Sequence, residues 1–159
     1  KLLADLEENE PCAFQDLLDC VTDFFERLSQ FYPEMKAGAD REVRWQSRKV
    51  DSFIIENVMF HVLFKITIET WKVFKSKTMT WKNDPQFIQI VNGLHKNITL
   101  QDRSLVNIMS RDNINWVGRI VNHQGRISNN RPSKTAAFDY LSTEIGLISF
   151  RSSIILTSA

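Results

Sequence analysis

Between Phe14 and Phe31 the apolar positions Phe14, Leu17, Leu18, Val21, Phe24, Phe25, Leu28 and Phe31 recur three and four residues apart. In a helix that spacing gathers them on one side. Asp16, Asp19, Asp23 and Glu26 hold the opposite face. The pattern predicts an amphipathic helix over 12–31, stopped by Pro33, which has no amide hydrogen and disfavours helix in the residue before it. Residues 1–11 are acidic and read as a lead-in ending at Pro11. Residues 33–47, with Pro33, Gly38 and many charges, read as a loop. A second helical pattern covers 48–77. Ile55, Val58, Met59, Val62, Leu63, Ile66, Val73 and Phe74 form one stripe, and Phe60, Phe64 and Trp71 a second face. A helix apolar on two faces is usually buried between neighbours. The β-branched residues of Val58–Ile68 also suit a strand, but the length of the pattern favours helix.

The later segments are shorter. Asp84 is placed to cap a helix over 85–95, with Phe87, Ile88, Val91 and Leu94 inward. Leu94-His95-Lys96-Asn97 reads as a turn. Thr99 is placed to cap a helix over 100–110, with Leu105, Ile108 and Met109 inward. Asp112 or Asn113 would cap a helix beginning at Ile114. Gly125–Ser133 reads as a loop, and a last helix runs from Lys134 with Ala137, Phe138, Leu141, Ile145 and Ile148 inward. No repeat or low-complexity segment interrupts the series. The expectation is one all-α domain spanning 1–159, a bundle of six or seven helices.

Composition narrows the function classes. The chain has only five Gly and four Pro in 159 residues, too few for a many-turned β fold. A net charge of +1 argues against a nucleic-acid binder driven by a broad basic face. Cys12 and Cys20 lie in one helical pattern, so at ~1.5 Å per residue they sit about 12 Å apart, beyond the ~7 Å reach of a disulfide. A reducing compartment fits best, although Asn97-Ile98-Thr99 would be a glycosylation sequon in a secreted chain. No apolar leader is visible at Leu2-Leu3, and Phe53–Phe74 is broken by Glu56, Lys65, Glu69 and Lys72, whereas a membrane span needs ~20 mostly apolar residues. His61, His95 and His123 are scattered, with no metal-ligand spacing, no Gly-x-Ser-x-Gly elbow and no Gly-rich phosphate loop. The expectation is a binding module without catalytic residues, cofactor or metal.

The densest run of chemistry is Arg111-Asp112-Asn113-Ile114-Asn115-Trp116-Val117-Gly118-Arg119-Ile120-Val121. It resembles the first homology motif of the Bcl-2 family of apoptosis regulators, Arg-Asp-Gly-Val-Asn-Trp-Gly-Arg-Ile-Val. Arg111, Asp112, Asn115 and Trp116 match, and Ile114 stands for Val. Gly118, Arg119, Ile120 and Val121 match after one extra residue, Val117. The short helices expected before it, the helix over 12–31 and the long second helix have counterparts in the family. A second Gly-Trp motif and a Gly-Asp pair on the second helix are absent, a pattern similar to that of diverged viral members.

The resemblance implies a Bcl-2-like helical bundle whose apolar groove grips an amphipathic BH3 helix. In the family the motif's Asn and Arg sit at a helix start on the groove rim, and the Arg pairs with an Asp of the bound helix. Here these would be Asn115 and Arg119. Gly118 would let two helices approach, and Trp116 would pack beneath. Val62, Leu63, Ile66, Phe87, Val91, Leu105 and Met109 would line the groove. Val117 would rotate the residues after it by ~100° in a continuous helix. The implied role is a viral apoptosis inhibitor that sequesters the BH3 motif of pro-apoptotic proteins. It would act in the host cytoplasm and at the mitochondrial outer membrane surface, forming a homodimer if the groove closes on a second copy. It would bind no nucleic acid, and would touch membrane only through a further segment. The rival reading from the residues is a secreted helical cytokine of interferon-γ or interleukin-10 type, since Ala137–Leu141 resembles the last helix of that group.

Overall fold

The structure is a computed structural model that describes residues 1–36, 42 and 52–151. Among these, the main α-helices are α1 (Leu2–Asn9), α2 (Pro11–Phe31), α3 (Asn57–Ser76), α4 (Pro85–Gly93) and α5 (Arg131–Glu144). Two short antiparallel strands, β1 (Asn97–Thr99) and β2 (Leu105–Asn107), form a hairpin. Single 3-10 turns occur at Pro33–Met35 and Ile114–Trp116. The fold is therefore mostly helical, consistent with the all-α expectation, with one small two-stranded hairpin beside the helices.

α3 is the central element. It packs on α2 and α5, while α1 and α4 both pack on α2. The two apolar faces of α3 explain its position. Val58, Met59, Val62, Leu63, Ile66, Trp71, Val73 and Phe74 are all buried. Leu17, Cys20, Phe24 and Leu28 of α2 meet them from one side, and Ala137, Phe138 and Leu141 of α5 also enter the core. Phe87 of α4 sits among aromatic rings, 6.4 Å from both Phe24 and Phe74 and 5.4 Å from Trp81, in edge-on or tilted contacts. Such pairs add roughly 0.5–1.5 kcal/mol each beyond the area they bury. Gly93 is the last residue of α4, where a Cβ would lie 3.2 Å from Ile145, so the close approach favours glycine.

Several expectations change in contact with the structure. The acidic lead-in is itself a helix: Leu6 is buried and Leu3 packs against the core. Pro11 breaks it and starts α2, where its missing amide costs nothing. Most of the loop expected over 33–47 lies outside the described residues, as do 48–51. The second helix begins at Asn57 rather than 48. Residues 52–56 form a turn in which the Phe53 amide donates to the Met109 carbonyl at 2.8 Å. Of the second face of this helix, Trp71 is buried, Phe64 half-buried and Phe60 exposed against Phe25. Asp84 caps α4 as expected, its carboxylate accepting from the Gln86 and Phe87 amides.

The helix expected over 100–110 is replaced by the hairpin, with Ile98 opposite Val106. The polar turn explains this. Asp102 Oδ1 accepts from both the Ser104 amide (2.9 Å) and its hydroxyl (2.6 Å), and Arg103 adopts φ +68°. Local side-chain bonds of this kind compete with helix. Those two bonds also hold the Asp102 carboxyl below the usual carboxylate range. The last helix starts three residues early, at Arg131, because Asn130 Oδ1 caps it by accepting from the Ser133 amide. Ile148 is exposed rather than inward.

Two polar junctions lock the elements. Asp16 accepts the indole N–H of Trp71 at 2.8 Å on one oxygen and that of Trp81 at 3.1 Å on the other. Lys96 reaches the carboxylate of Glu144 at 2.9 Å and also donates to its carbonyl, a cation at the negative end of the α5 dipole.

Candidate functional site

The Arg111–Val121 segment is held by side chains bonding to backbone. Asn113 is fully buried. Its amide donates to the Ile108 carbonyl at 2.8 Å and to the Tyr140 hydroxyl at 3.1 Å, and its Oδ1 accepts from the Asn115 amide at 3.1 Å. Trp116 is also fully buried. Its indole donates to the same Ile108 carbonyl at 2.8 Å, and its ring meets Phe53 at 6.2 Å and Tyr140 edge-on at 4.9 Å. A buried indole must place its N–H on an acceptor, and the Ile108 carbonyl supplies it. Ahead of the turn, Arg111 is ion-paired to Glu56 at 2.6 Å and lies over the Phe53 ring.

No α-helix begins at Ile114, which corrects that expectation. Asn113 caps only one 3-10 turn, and Val117 leaves it in extended conformation, φ −68° and ψ 130°. The turn ends at Val117, so the ~100° rotation expected of a continuous helix does not arise. Three subsequent amides, of Arg119, Ile120 and Val121, converge on the Trp116 carbonyl. Gly118 has φ +83°, and a Cβ placed on it would meet no atom within 4 Å, so it serves backbone conformation and not the approach of two helices.

Beside this loop is an open cleft of about 600 Å³, lined by Asn115, Arg119, Ala136, Asp139, Tyr140, Thr143 and Glu144. Arg119 is half-buried in its wall. The guanidinium lies 4.8 Å from the Tyr140 ring centre and donates to the Asn115 carbonyl. Among the described residues no carboxylate is ion-paired with it. The arrangement fixes a cation in a concave site with donors to spare.

The residues named from the sequence thus do not fall in one place. Asn115 and Arg119 line the cleft, Trp116 is the buried support beneath it, and Gly118 shapes the loop. Val62, Leu63, Ile66, Phe87, Val91 and Met109 are not brought to it. All six are buried in the closed core, so the apolar groove drawn from them is corrected: α2, α3, α4 and α5 bury these side chains against one another. Leu105 is the opposite case, 70% exposed on β2. The cleft residues of α5 are not marked by the apolar pattern. Ala136, Tyr140 and Thr143 stand four and three residues apart, a helical stripe too small and too polar to stand out beside the core positions of the same helix.

Other chemistry is limited. Cys20 is buried, and desolvation first, then Asp16 and Asp23, push its thiol far above the ordinary range. Burial likewise raises the Tyr32 phenol, which donates to the Leu94 carbonyl at 2.8 Å and lies 3.0 Å from Asn107 Oδ1. No helix of the described residues is long and apolar enough to cross a membrane.

No family model matches the chain, and no curated protein or solved structure matches it. The site must therefore be read from its own geometry.

Proposed function

We propose that this chain is a non-catalytic binding module, a diverged Bcl-2-like helical bundle that holds the BH3 helix of a pro-apoptotic partner. The observation that carries the reading is Arg119: a half-buried guanidinium, steered by the Tyr140 ring and the Asn115 carbonyl, in an open cleft where, among the described residues, no carboxylate is ion-paired with it. Preorganised arginine binds a carboxylate strongly because little rotamer entropy remains to be lost. The Arg111–Val121 resemblance supplies the class of partner, a helix that presents an Asp.

On this reading the divergence lies after the motif. The family continues into a central helix, whereas here Val117–Arg126 folds back through the bridges Val117–Val121 and Val121–Ile127. The role is that of a viral-type apoptosis inhibitor in the host cytoplasm or at the mitochondrial outer membrane surface. The test is calorimetric titration of the whole chain against a panel of BH3 peptides. Binding of at least one, lost when its Asp becomes Ala, is the expected outcome. A folded chain that binds none of them overturns the reading.

A further inference from the structure

Three of the exposed large apolar side chains fall in one loop: Ile114 (57% exposed), Val117 (48%) and Ile127 (36%). The backbone gathers them. The Val117 amide donates to the Ile114 carbonyl at 3.0 Å, Val117 bridges to Val121, and Val121 bridges to Ile127. Their exposure is not a failure of packing, because Trp116 and Ile120 of the same loop are fully buried. The loop turns one set of apolar side chains into the core and holds another set out.

The same stretch is basic. Over 111–134 there are five basic residues, Arg111, Arg119, Arg126, Arg131 and Lys134, against the single acid Asp112, a local charge of +4. The whole chain carries +1, so everything outside that stretch sums to −3. Arg111 is taken up by Glu56, but Arg119 opens on the cleft and Arg126 is exposed at the loop tip. Aliphatic surface and positive charge coincide here.

We infer that loop 114–127 is the docking surface for an acidic amphipathic segment of a protein partner. Its aliphatic face packs on Ile114, Val117, Val121 and Ile127, and its carboxylates meet Arg119 and Arg126. The inference rests on the proposed function for the partner's identity, but it moves the apolar contact from a helix-lined groove to this loop. A protein segment fits better than a nucleic acid, because the loop presents the exposed aliphatic side chains Ile114, Val117 and Ile127 beside Arg119 and Arg126, and a phosphate backbone would use only the arginines. It fits better than a lipid surface, because the oriented Arg119 is recessed in a cleft that a side chain enters and a flat headgroup layer does not.

The experiment uses the whole chain, a BH3 peptide from the panel, and two synthetic amphipathic helices with Leu on one face and either Glu or Lys on the other. Binding is read by fluorescence anisotropy. The Glu peptide binds, and the Lys peptide binds at least about tenfold more weakly, a difference of ~1.4 kcal/mol. Ile114→Asp combined with Val117→Asp weakens both the Glu and BH3 peptides about tenfold or more, with an unchanged melting curve because both side chains are exposed. Arg126→Glu, on the exposed tip, weakens them without touching any apolar contact. Equal affinity for the Glu and Lys peptides overturns the inference. So does BH3 binding that survives both substitutions, which leaves the proposed function standing. Glu-peptide binding with no BH3 binding overturns the proposed function and supports this surface. Binding of phosphatidylserine vesicles, or of a single-stranded oligonucleotide, that depends on these residues while no peptide binds overturns the inference in favour of that ligand.

Discussion

Asn113→Ala is the sharpest probe of why the loop folds as it does. The side chain is buried and makes three hydrogen bonds, to the Ile108 carbonyl, the Tyr140 hydroxyl and the Asn115 amide. Net contributions of about 0.5–1.5 kcal/mol each give a loss of roughly 1.5–4.5 kcal/mol. The partners do not suffer equally. The Ile108 carbonyl keeps the Trp116 indole at 2.8 Å and the Tyr140 hydroxyl keeps a long contact to Asn115 at 3.5 Å, so the Asn115 amide is the group left stranded. That places the loss near the middle of the range, about 2–4 kcal/mol. For a chain of this size each kcal/mol moves the melting temperature by ~2–4 °C. Urea unfolding followed by tryptophan fluorescence and by circular dichroism measures it, with an unchanged slope as the sign that only stability moved. Asn113→Asp separates geometry from donor chemistry: it keeps the acceptor for Asn115 but turns a carboxylate oxygen toward the Ile108 carbonyl, so it too destabilises. A loss under about 1 kcal/mol for Asn113→Ala, the level of a replaceable surface bond, would sink the account of the loop.

Further outcomes can be measured alongside. On the proposed function, Arg119→Ala weakens a BH3-type peptide at least about tenfold, since truncating one side of a partly desolvated pair costs about 2–5 kcal/mol against ~0–1 for an exposed pair, while the melting temperature falls by only a few degrees through the lost Tyr140 and Asn115 contacts. Arg111→Ala instead lowers stability, because it strands Glu56, and an unchanged melting curve would contradict that. Gly93→Ala destabilises by about 1–3 kcal/mol through overpacking on Ile145, and combined with Ile145→Ala, which removes the Cγ2 that the new methyl meets, it costs less than the sum of the two single substitutions. Gly118→Ala costs roughly 1 kcal/mol from backbone strain alone, so no neighbouring truncation rescues it. A thiol reagent titrates one cysteine, the exposed Cys12, in the folded chain and both after denaturation; rapid reaction of two would contradict the burial of Cys20.

The helices were legible where the apolar period was long. α2 follows its pattern from Pro11 to Phe31, and the Asp84 cap marks the start of α4, because a 3.6-residue period and a cap are local properties. The hairpin was not legible, since three-residue strands give almost no alternation to read and Asp102–Ser104 decides the turn through side-chain bonds. The Arg111–Val121 segment stands out in the sequence as unusual, but its residues work differently from the helix-start expectation: Asn113 is the organiser and Gly118 a conformational necessity. Apolar groove candidates were indistinguishable from core, because both read as buried apolar positions on helices. The stripe Ala136, Tyr140 and Thr143 becomes a site only when α5 is laid beside the loop, a tertiary fact no local pattern carries.

The Asp16 junction has a consequence for the order of assembly. Its two indole partners lie 55 and 65 residues away along the chain. Neither bond can close until α2, α3 and the turn leading into α4 have met, and closure over such separations is entropically late. The latch then contributes to the native state but little to the folding transition state. Interactions of that kind mainly govern how fast a protein comes apart. One half-buried carboxylate thus acts as a brake on unfolding, holding α2 against the end of α3 and the turn beyond it.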